Sequence, residues 1–167
     1  SIIYKIGFKE FLQRAQEAGL DGVTIPDMPV EEGNEVFNTG REMDFKIVCF
    51  IAPTTTEKRI NLIVNKSQGF LYYIAVVGIT GTRKDLADDL QDNLEKLRPK
   101  VKCPIAVGFG VSTPEQAKTV GKIADGVIVG SAIVKEIERN KDKPCNELAA
   151  EVGKFTEKLI AGAKGRL

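Results

Sequence analysis

The chain has 167 residues, with 24 Lys and Arg against 23 Asp and Glu, and it contains no histidine. A net charge of +1 without a long basic cluster does not favour nucleic-acid binding, because neutralising phosphates requires clustered Lys and Arg. The lack of histidine excludes Ser-His and Cys-His nucleophile pairs and His-ligated zinc within this chain. Proton transfer would therefore fall to carboxylates, Lys, Tyr, Cys or water.

The lengths of the apolar runs and the pattern of cysteines indicate the cellular compartment of the protein. No run approaches the roughly 20 apolar residues that span a bilayer, and no signal peptide is expected. Cys49, Cys103 and Cys145 form an odd set without C-x-x-C spacing, which argues against a disulfide framework or a zinc site. The sequence therefore predicts a cytoplasmic protein with no membrane contact and no metal.

Strand and helix patterns alternate along the chain. An apolar stripe over residues 8–18 predicts a leading helix, and Gly19 is expected to end it. Apolar stripes at helical spacing then alternate with five short β-branched runs, and Gly40 is predicted as a second helix end. The five runs predict strands at residues 22–26, 45–50, 70–75, 104–107 and 126–129. Most are apolar at consecutive positions, which is typical of parallel strands buried on both faces.

This alternation predicts an α/β protein with parallel strands and right-handed crossovers. A doubly wound open sheet and part of a TIM (β/α)₈ barrel both fit the pattern. A full barrel takes about 250 residues, so five of its eight units would need about 155. The segment Thr113-Pro-Glu-Gln116 predicts a helix start with a capping box. Residues 1–167 are expected to form a single domain.

Two consecutive strands end in glycine-bearing loops. Gly108-Phe-Gly110 follows the fourth strand, and Gly130-Ser131 follows the fifth and opens a helical stretch. Backbone N–H groups at such a helix start favour an anion. Either loop alone could be only a tight turn, but two at neighbouring strand ends favour a phosphate site. Gly108-Phe-Gly110 lacks the third glycine of a dinucleotide fingerprint, and the stretch from Gly78 to Lys84 lacks the spacing of a P-loop.

Three further features are open to two interpretations each. The loop over residues 77–85 could be a lid or an ordinary connection. Tyr72 and Tyr73 must face opposite sides of the third strand, so one could line a cavity, although core packing of both is the simpler interpretation. Asp27 stands at a strand end, where catalytic groups often lie, but capping of the segment beyond it is the favoured interpretation.

The motifs occur in an order that resembles the tryptophan synthase α subunit family, over essentially the whole chain. They are Pro26-Asp-Met-Pro-Val-Glu-Glu32, Ala52-Pro-Thr-Thr-Thr56, Gly78-Ile-Thr-Gly81, Gly108-Phe-Gly-Val-Ser-Thr-Pro-Glu-Gln116 and Ala124 to Val134. The resemblance implies a partial TIM barrel with about five parallel strands. It also implies retro-aldol cleavage of indole-3-glycerol phosphate to indole and glyceraldehyde 3-phosphate, without a cofactor or metal and with the tryptophan synthase β subunit as partner.

The resemblance also implies residue roles. It assigns substrate phosphate binding to Gly81, Gly110, Gly130 and Ser131. It assigns indole contacts to Tyr72, Phe109 and Ile128, and closure of a mobile loop to Thr80. It places Asp27 and Pro29 in a loop that faces the β subunit.

One departure from the family is large. Its two catalytic carboxylates, a Glu and an Asp near the second barrel strand, have no counterpart here, and the first three strand-helix units are expected to be absent. No catalytic residue is therefore expected in this chain, which should be inactive alone. The alternatives are another phosphate-binding barrel, such as an epimerase or isomerase, and a non-catalytic fragment that binds phosphate or the β subunit.

Overall fold

The structure is a computed structural model that describes residues 2–75, 83–108 and 110–165, of which residues 83–88 are described by their backbone only. All five predicted strands are present in the described residues, each within two residues of its expected bounds. The strands are β1 (Gly22–Thr24), β2 (Lys46–Ile51), β3 (Leu71–Ile74), β4 (Ile105–Gly108) and β5 (Gly126–Ile128).

Helices fill the intervals between these strands, as the apolar stripes predict. A short helix precedes the expected leading helix, and two helices follow β5. The helices are α1 (Ile2–Ile6), α2 (Phe8–Glu17), α3 (Asn34–Glu42), α4 (Glu57–Lys66), α5 (Arg83–Leu97), α6 (Pro114–Gly121), α7 (Ser131–Arg139) and α8 (Cys145–Ala163).

The strands follow one another in chain order, β1-β2-β3-β4-β5. Strands β1 and β2 pair in parallel with Gly22 opposite Lys46, and β4 and β5 pair in parallel with Gly108 opposite Ile128. Each strand reaches the next through a helical connection, which is the connection that parallel strands require. The predicted α/β class with parallel strands is therefore confirmed.

The chain divides into two compact units. The first consists of Ser1–Tyr72 with Pro99–Pro104, and the second of Tyr73–Arg98 with Ile105–Leu167. In the first unit, α3 and α4 pack on β2, whose Ile47 and Ile51 are buried. In the second unit, α6 packs on both β5 and α8, and the buried side chains include Ile105, Val107 and Leu159.

Gly19 ends α2 as predicted. Its φ of +85° is the left-handed conformation that glycine adopts without a steric penalty. Gly19 N donates to Gln16 O over 2.9 Å and Leu20 N donates to Ala15 O over 3.0 Å. These two bonds form a Schellman motif, which satisfies carbonyl groups left open at the end of a helix.

The prediction that Gly40 ends a helix is wrong. Helix α3 continues to Glu42, and Asp44 takes the left-handed position with a φ of +56°. A Cβ on Gly40 would lie 2.8 Å from Phe45 O and 2.9 Å from Ile47 Cγ1. The glycine therefore allows α3 to approach β2 closely, a role that sequence alone does not separate from helix termination.

The capping box at the start of α6 is confirmed. Gln116 N donates to Thr113 Oγ1 over 3.2 Å, and Thr113 N donates to Gln116 Oε1 over 3.1 Å. Pro114 occupies the first turn, where its missing N–H costs no hydrogen bond. This cap fixes where the loop after β4 ends.

Asp125 joins the start of β4 to the start of β5 within the second unit. Ile105 N donates to Asp125 Oδ2 over 2.8 Å, and the Arg98 guanidinium pairs with the same oxygen. The backbone N–H of Ile105, and after it Arg98, hold the pKa of Asp125 below its ordinary value of 3.8. The charged carboxylate is therefore the form that the folded state favours.

Asp125→Asn should lower the free energy of unfolding at pH 7 by about 1 kcal/mol, a value reduced because the carboxylate is 40% exposed. Because the folded pKa is lowered, the contribution is complete above the unfolded pKa and disappears as pH falls through the folded pKa. Urea unfolding between pH 7 and pH 2.5 measures both the loss of stability at pH 7 and its dependence on pH. Asp142→Asn in the exposed loop after α7 is the control, and a difference in the free energy of unfolding that does not shrink as pH falls below the ordinary pKa of 3.8 would contradict the electrostatic explanation.

Tyr73 is buried on β3, with 2% of its surface exposed, whereas its neighbour Tyr72 is half-buried. The two rings thus alternate in burial as the pleat of a strand requires. The Tyr73 hydroxyl has no hydrogen-bond partner among the described residues, and burial raises the pKa of this phenol. A buried hydroxyl without a partner costs free energy on folding.

Tyr73→Phe should therefore stabilise the protein by about 1 kcal/mol, since it removes an unpaired polar atom without removing the ring. Tyr72→Phe is the matched control on the same strand, expected to change stability by less than about 0.5 kcal/mol. Thermal and urea unfolding of both variants tests the prediction. Destabilisation by Tyr73→Phe would show that the hydroxyl is paired.

Candidate functional site

The strand ends of β4 and β5 lie side by side in the second unit. Gly108 is the last residue of β4 and lies opposite Ile128, the last residue of β5. The loops that carry Gly110 and Gly130 therefore begin at the same level of two neighbouring strands. Gly110 has a φ of +85°, which favours glycine at that position.

Gly130 and Ser131 form the start of α7. Gly130 O accepts hydrogen bonds from Ile133 N over 3.0 Å and from Val134 N over 3.2 Å, so the helix begins directly after this glycine. Within the described part of the chain no side chain caps this end, and the first turn of α7 carries no acidic residue. Among the described residues, no atom lies within 4 Å of where a Cβ on Gly130 would stand, so none of them fills the space beside the helix start.

These features suit an anion electrostatically. The first N–H groups of an α-helix have no acceptor within the helix, and the helix dipole places partial positive charge there. A phosphate in the open space beside Gly130 could accept such donors. The absence of acidic residues from the first turn of α7 leaves this charge uncompensated by neighbours along the helix.

Tyr72 forms an aromatic pair in the first unit. Its ring centroid lies 5.1 Å from that of Phe50 on β2, with the ring planes at 45°. Both side chains are half-buried. Phe50 was not predicted from the sequence, although its position just before the end of β2 could have suggested a wall residue. The pair offers an aromatic surface formed by Phe50 of β2 and Tyr72 of β3.

The described residues place part of the predicted site together. Gly110, Ile128, Gly130 and Ser131 belong to the second unit and to the ends of β4 and β5. Tyr72 belongs to the first unit, and its ring is half-buried there. Thr80, Gly81 and Phe109 lie outside the described residues. Their predicted roles in loop closure, phosphate binding and indole binding stay predictions.

The segment after β1 does not continue directly into a helix, as a capping role of Asp27 would require. Helix α3 begins at Asn34 with Gly33 before it, so the part of the expectation in which Asp27 caps the following helix is wrong. Residues 26–33 form turns instead, in which Met28 N donates to Ile25 O over 3.2 Å. Asp27 and Pro29 are both exposed on this segment.

An apolar pocket of about 190 Å³ lies elsewhere in the second unit, between β5 and helices α6, α7 and α8. Val127 and Val129 line it, so it opens on the face of β5 opposite to Ile128. Its one hydroxyl, on Thr156, donates to Val152 O over 2.8 Å within α8. The pocket is therefore a gap in helix packing on the other face from the predicted indole contact.

Metal ligation and membrane spanning can both be judged over the described part of the chain. Residues 2–75, 83–108 and 110–165 contain no group of three or more His, Cys, Asp or Glu side chains arranged to hold a metal ion. Within the same ranges, no helix is long and apolar enough to cross a membrane.

Relatives match nearly the whole chain. The family model for the tryptophan synthase alpha chain matches residues 1–163. The tryptophan synthase alpha chain of Pelobacter propionicus is 40% identical over 163 residues, which cover 98% of this chain and 60% of the relative. That of Methanocaldococcus jannaschii is 38% identical over 143 residues, which cover 86% of this chain and 51% of the relative.

Solved structures give the same result. Tryptophan synthase subunit alpha from Legionella pneumophila superposes with a TM-score of 0.83 at 30% identity, covering 98% of this chain and 59% of that one. A chain of the tryptophan synthase a2b2 complex from Pyrococcus furiosus superposes with a TM-score of 0.82 at 33% identity, covering 96% and 64%.

Parallel strands that alternate with helices, and relatives of the TIM-barrel type, define the class of this protein as a TIM-barrel α/β protein. The chain belongs to the tryptophan synthase alpha chain family, a family of lyases in tryptophan biosynthesis. It spans about half to three fifths of the length of the curated relatives it matches.

Proposed function

We propose that this chain supplies the phosphate and indole contacts for cleavage of indole-3-glycerol phosphate into indole and glyceraldehyde 3-phosphate. The observation that carries the proposal is the register of β4 and β5, in which Gly108 lies opposite Ile128. This register brings Gly110 and the open helix start at Gly130-Ser131 to neighbouring strand ends. Family membership supplies the identity of the reaction.

The phosphate end of the substrate would be bound by backbone N–H groups. Gly130 and Ser131 begin α7, and Gly110 lies in the neighbouring loop, with Gly81 proposed as a further contact. Backbone donors at a helix start hold an anion without needing a charged side chain. Such contacts orient the substrate and hold it in place, which lowers the entropic cost of reaching the reacting geometry.

The indole end would lie against apolar side chains. Ile128 is half-buried at the end of β5, and Tyr72 presents a half-buried ring paired with Phe50. Phe109 is proposed as a third contact, and Thr80 as part of a loop that closes over the substrate. Aromatic and aliphatic side chains suit a planar indole because they bury its faces without leaving polar groups unpaired.

Proton transfer has to come from other residues. Retro-aldol cleavage removes a proton from a substrate hydroxyl and delivers one to the indole carbon that leaves, so it needs an acid and a base in place. We propose that the family's two carboxylates perform these steps and that the 167-residue chain alone binds but does not cleave. Binding of phosphate or the β subunit without cleavage is thus the function proposed for the isolated chain.

Partner and compartment complete the proposal. In Pyrococcus furiosus, the tryptophan synthase a2b2 complex shows mutual activation. We propose that the β subunit is likewise the partner here and that exposed Asp27 and Pro29 lie in the loop that contacts it. Free cysteines at positions 49, 103 and 145 fit a reducing cytoplasm.

Ligand titration and an activity assay test the proposal together. Indole-3-glycerol phosphate and inorganic phosphate should both raise the melting temperature, because a ligand that binds only the folded state adds about 2.7 kcal/mol at 100 times its Kd. The same sample should release no indole. Absence of stabilisation by either ligand would contradict the proposed site, and indole release would contradict the assignment of catalysis to residues outside this chain.

A further inference from the structure

The segment after β1, residues 25–33, has a regular division between inner and outer side chains. Ile25 and Val30 are buried, each with 6% of its surface exposed, and Gly33 is buried as well. Asp27 and Pro29 lie between them and are exposed. The segment is therefore fixed to the first unit at several points while its central residues face solvent.

Lys66, at the end of α4, holds the far end of this segment. Its Nζ donates to Val30 O over 3.2 Å and also to the Asn34 side chain, the first residue of α3. The same ammonium lies 5.3 Å from the centroid of the Phe37 ring, within the range of a cation–π contact. One side chain thus connects α4 to the segment and to the helix that follows it.

Arg59, near the start of α4, makes the second connection. Its guanidinium forms a two-pronged pair with Glu31, with Nε 2.9 Å from Oε1 and Nη2 3.4 Å from Oε2. Both side chains are about half exposed, so the pair adds little to global stability. Its two-point geometry nevertheless fixes the direction in which the segment leaves Val30.

Backbone chemistry agrees with a rigid segment. Pro26 and Pro29 each fix one backbone dihedral, which reduces the freedom of the free chain. A loop already held in its bound shape loses less entropy when a partner docks on it. Residues on α4 can therefore influence docking without touching the partner.

We propose that Lys66 and Arg59 are positioning residues that hold residues 26–32 in a preformed shape for docking of a partner protein chain. The inference rests on the proposed function, in which the partner is the tryptophan synthase β subunit and Asp27 and Pro29 make the contact. Helix α4 then sets partner affinity through the shape of this segment.

Calorimetric titration with the β subunit of the same source tests this, using the chain as it exists and the variants Lys66→Met and Arg59→Glu. We expect both variants to bind at least tenfold more weakly, with melting temperatures close to the parent value. Lys66→Arg should restore binding, and so should the charge-exchanged double variant Glu31→Arg with Arg59→Glu. A merely structural role would lower the melting temperature together with the affinity, whereas a positioning role lowers the affinity alone.

Two further variants separate this inference from the proposed function. Arg14→Gln removes another exposed ion pair, with Glu10 on α2, and should leave affinity unchanged. The double variant Asp27→Ala with Pro29→Ala tests the contact itself. If it weakens binding while Arg59→Glu does not, the positioning role is overturned and the contact stands. If the parent chain does not bind, or the double variant binds normally, the proposed contact fails and this inference with it.

Discussion

Gly162→Ala should lower the free energy of unfolding by about 3 kcal/mol, near the upper end of the usual cost of overpacking. Gly162 lies near the end of α8, where that helix crosses the start of α6. A Cβ at this position would lie 2.2 Å from Pro114 O and 3.0 Å from Pro114 C. Because these are backbone atoms, no side-chain rotation relieves the overlap, and one helix has to move.

Gly153→Ala provides the matched control on the same helix. Gly153 is exposed, and a Cβ there would meet no atom of residues 2–75, 83–108 and 110–165 within 4 Å. Replacing glycine by alanine inside an exposed helix should raise the free energy of unfolding by about 0.5–1 kcal/mol. Urea unfolding of the two variants should therefore give opposite signs. Stabilisation by both would show that α6 and α8 are not in such close contact.

Gly130→Asp should reduce the affinity for inorganic phosphate at least tenfold, while leaving the melting temperature of the free chain unchanged or higher. Gly130 precedes α7, and no atom of the described part of the chain would obstruct a Cβ there, so a side chain can be accommodated. Aspartate at such a position stabilises a helix start by accepting its N–H groups and by its negative charge. The same charge would repel the phosphate and occupy its donors.

Gly130→Asn separates charge from size, since asparagine has nearly the same volume and no charge. Any loss caused by size should be common to both variants, so Asp should bind phosphate at least tenfold more weakly than Asn. Calorimetric titration with phosphate at constant ionic strength measures this difference. Equal affinities of the two variants would indicate that no anion binds at the start of α7.

Much of the fold follows from local patterns in the sequence. Runs such as residues 45–50 are rich in apolar and β-branched residues at consecutive positions, and this local pattern predicts a strand that is buried on both faces. The start of α6 is equally local, because Thr113 and Gln116 satisfy each other within four residues. Features of this kind need no information from distant parts of the chain.

Gly40 and Asp27 show where local patterns stop being informative. A glycine near the end of an apolar stripe is consistent with a helix end, yet at Gly40 the deciding contacts come from Phe45 and Ile47. A carboxylate before a polar stretch is consistent with a helix cap, yet α3 begins seven residues after Asp27, beyond a segment of turns that Lys66 and Arg59 contact. Both outcomes depend on packing against other elements.

In the candidate site, too, some features follow from the sequence and others only from the tertiary structure. The sequence indicated which residues end β4 and β5, and chemistry indicated that glycines and a helix start suit phosphate. Only the tertiary structure placed Gly108 opposite Ile128, and so brought the two loops to one level. Only it paired Phe50 with Tyr72 across neighbouring strands.

For this protein, the sequence by itself determined the order and type of the elements, because burial pattern, helix periodicity and capping act over a few residues. The absence of histidine also removed histidine from the groups within these 167 residues that could transfer a proton. The tertiary structure decided strand register, the close crossing of α6 and α8, and the anchoring of the segment after β1 by Lys66. These features depend on contacts between residues far apart in the chain, whose geometry no local pattern encodes.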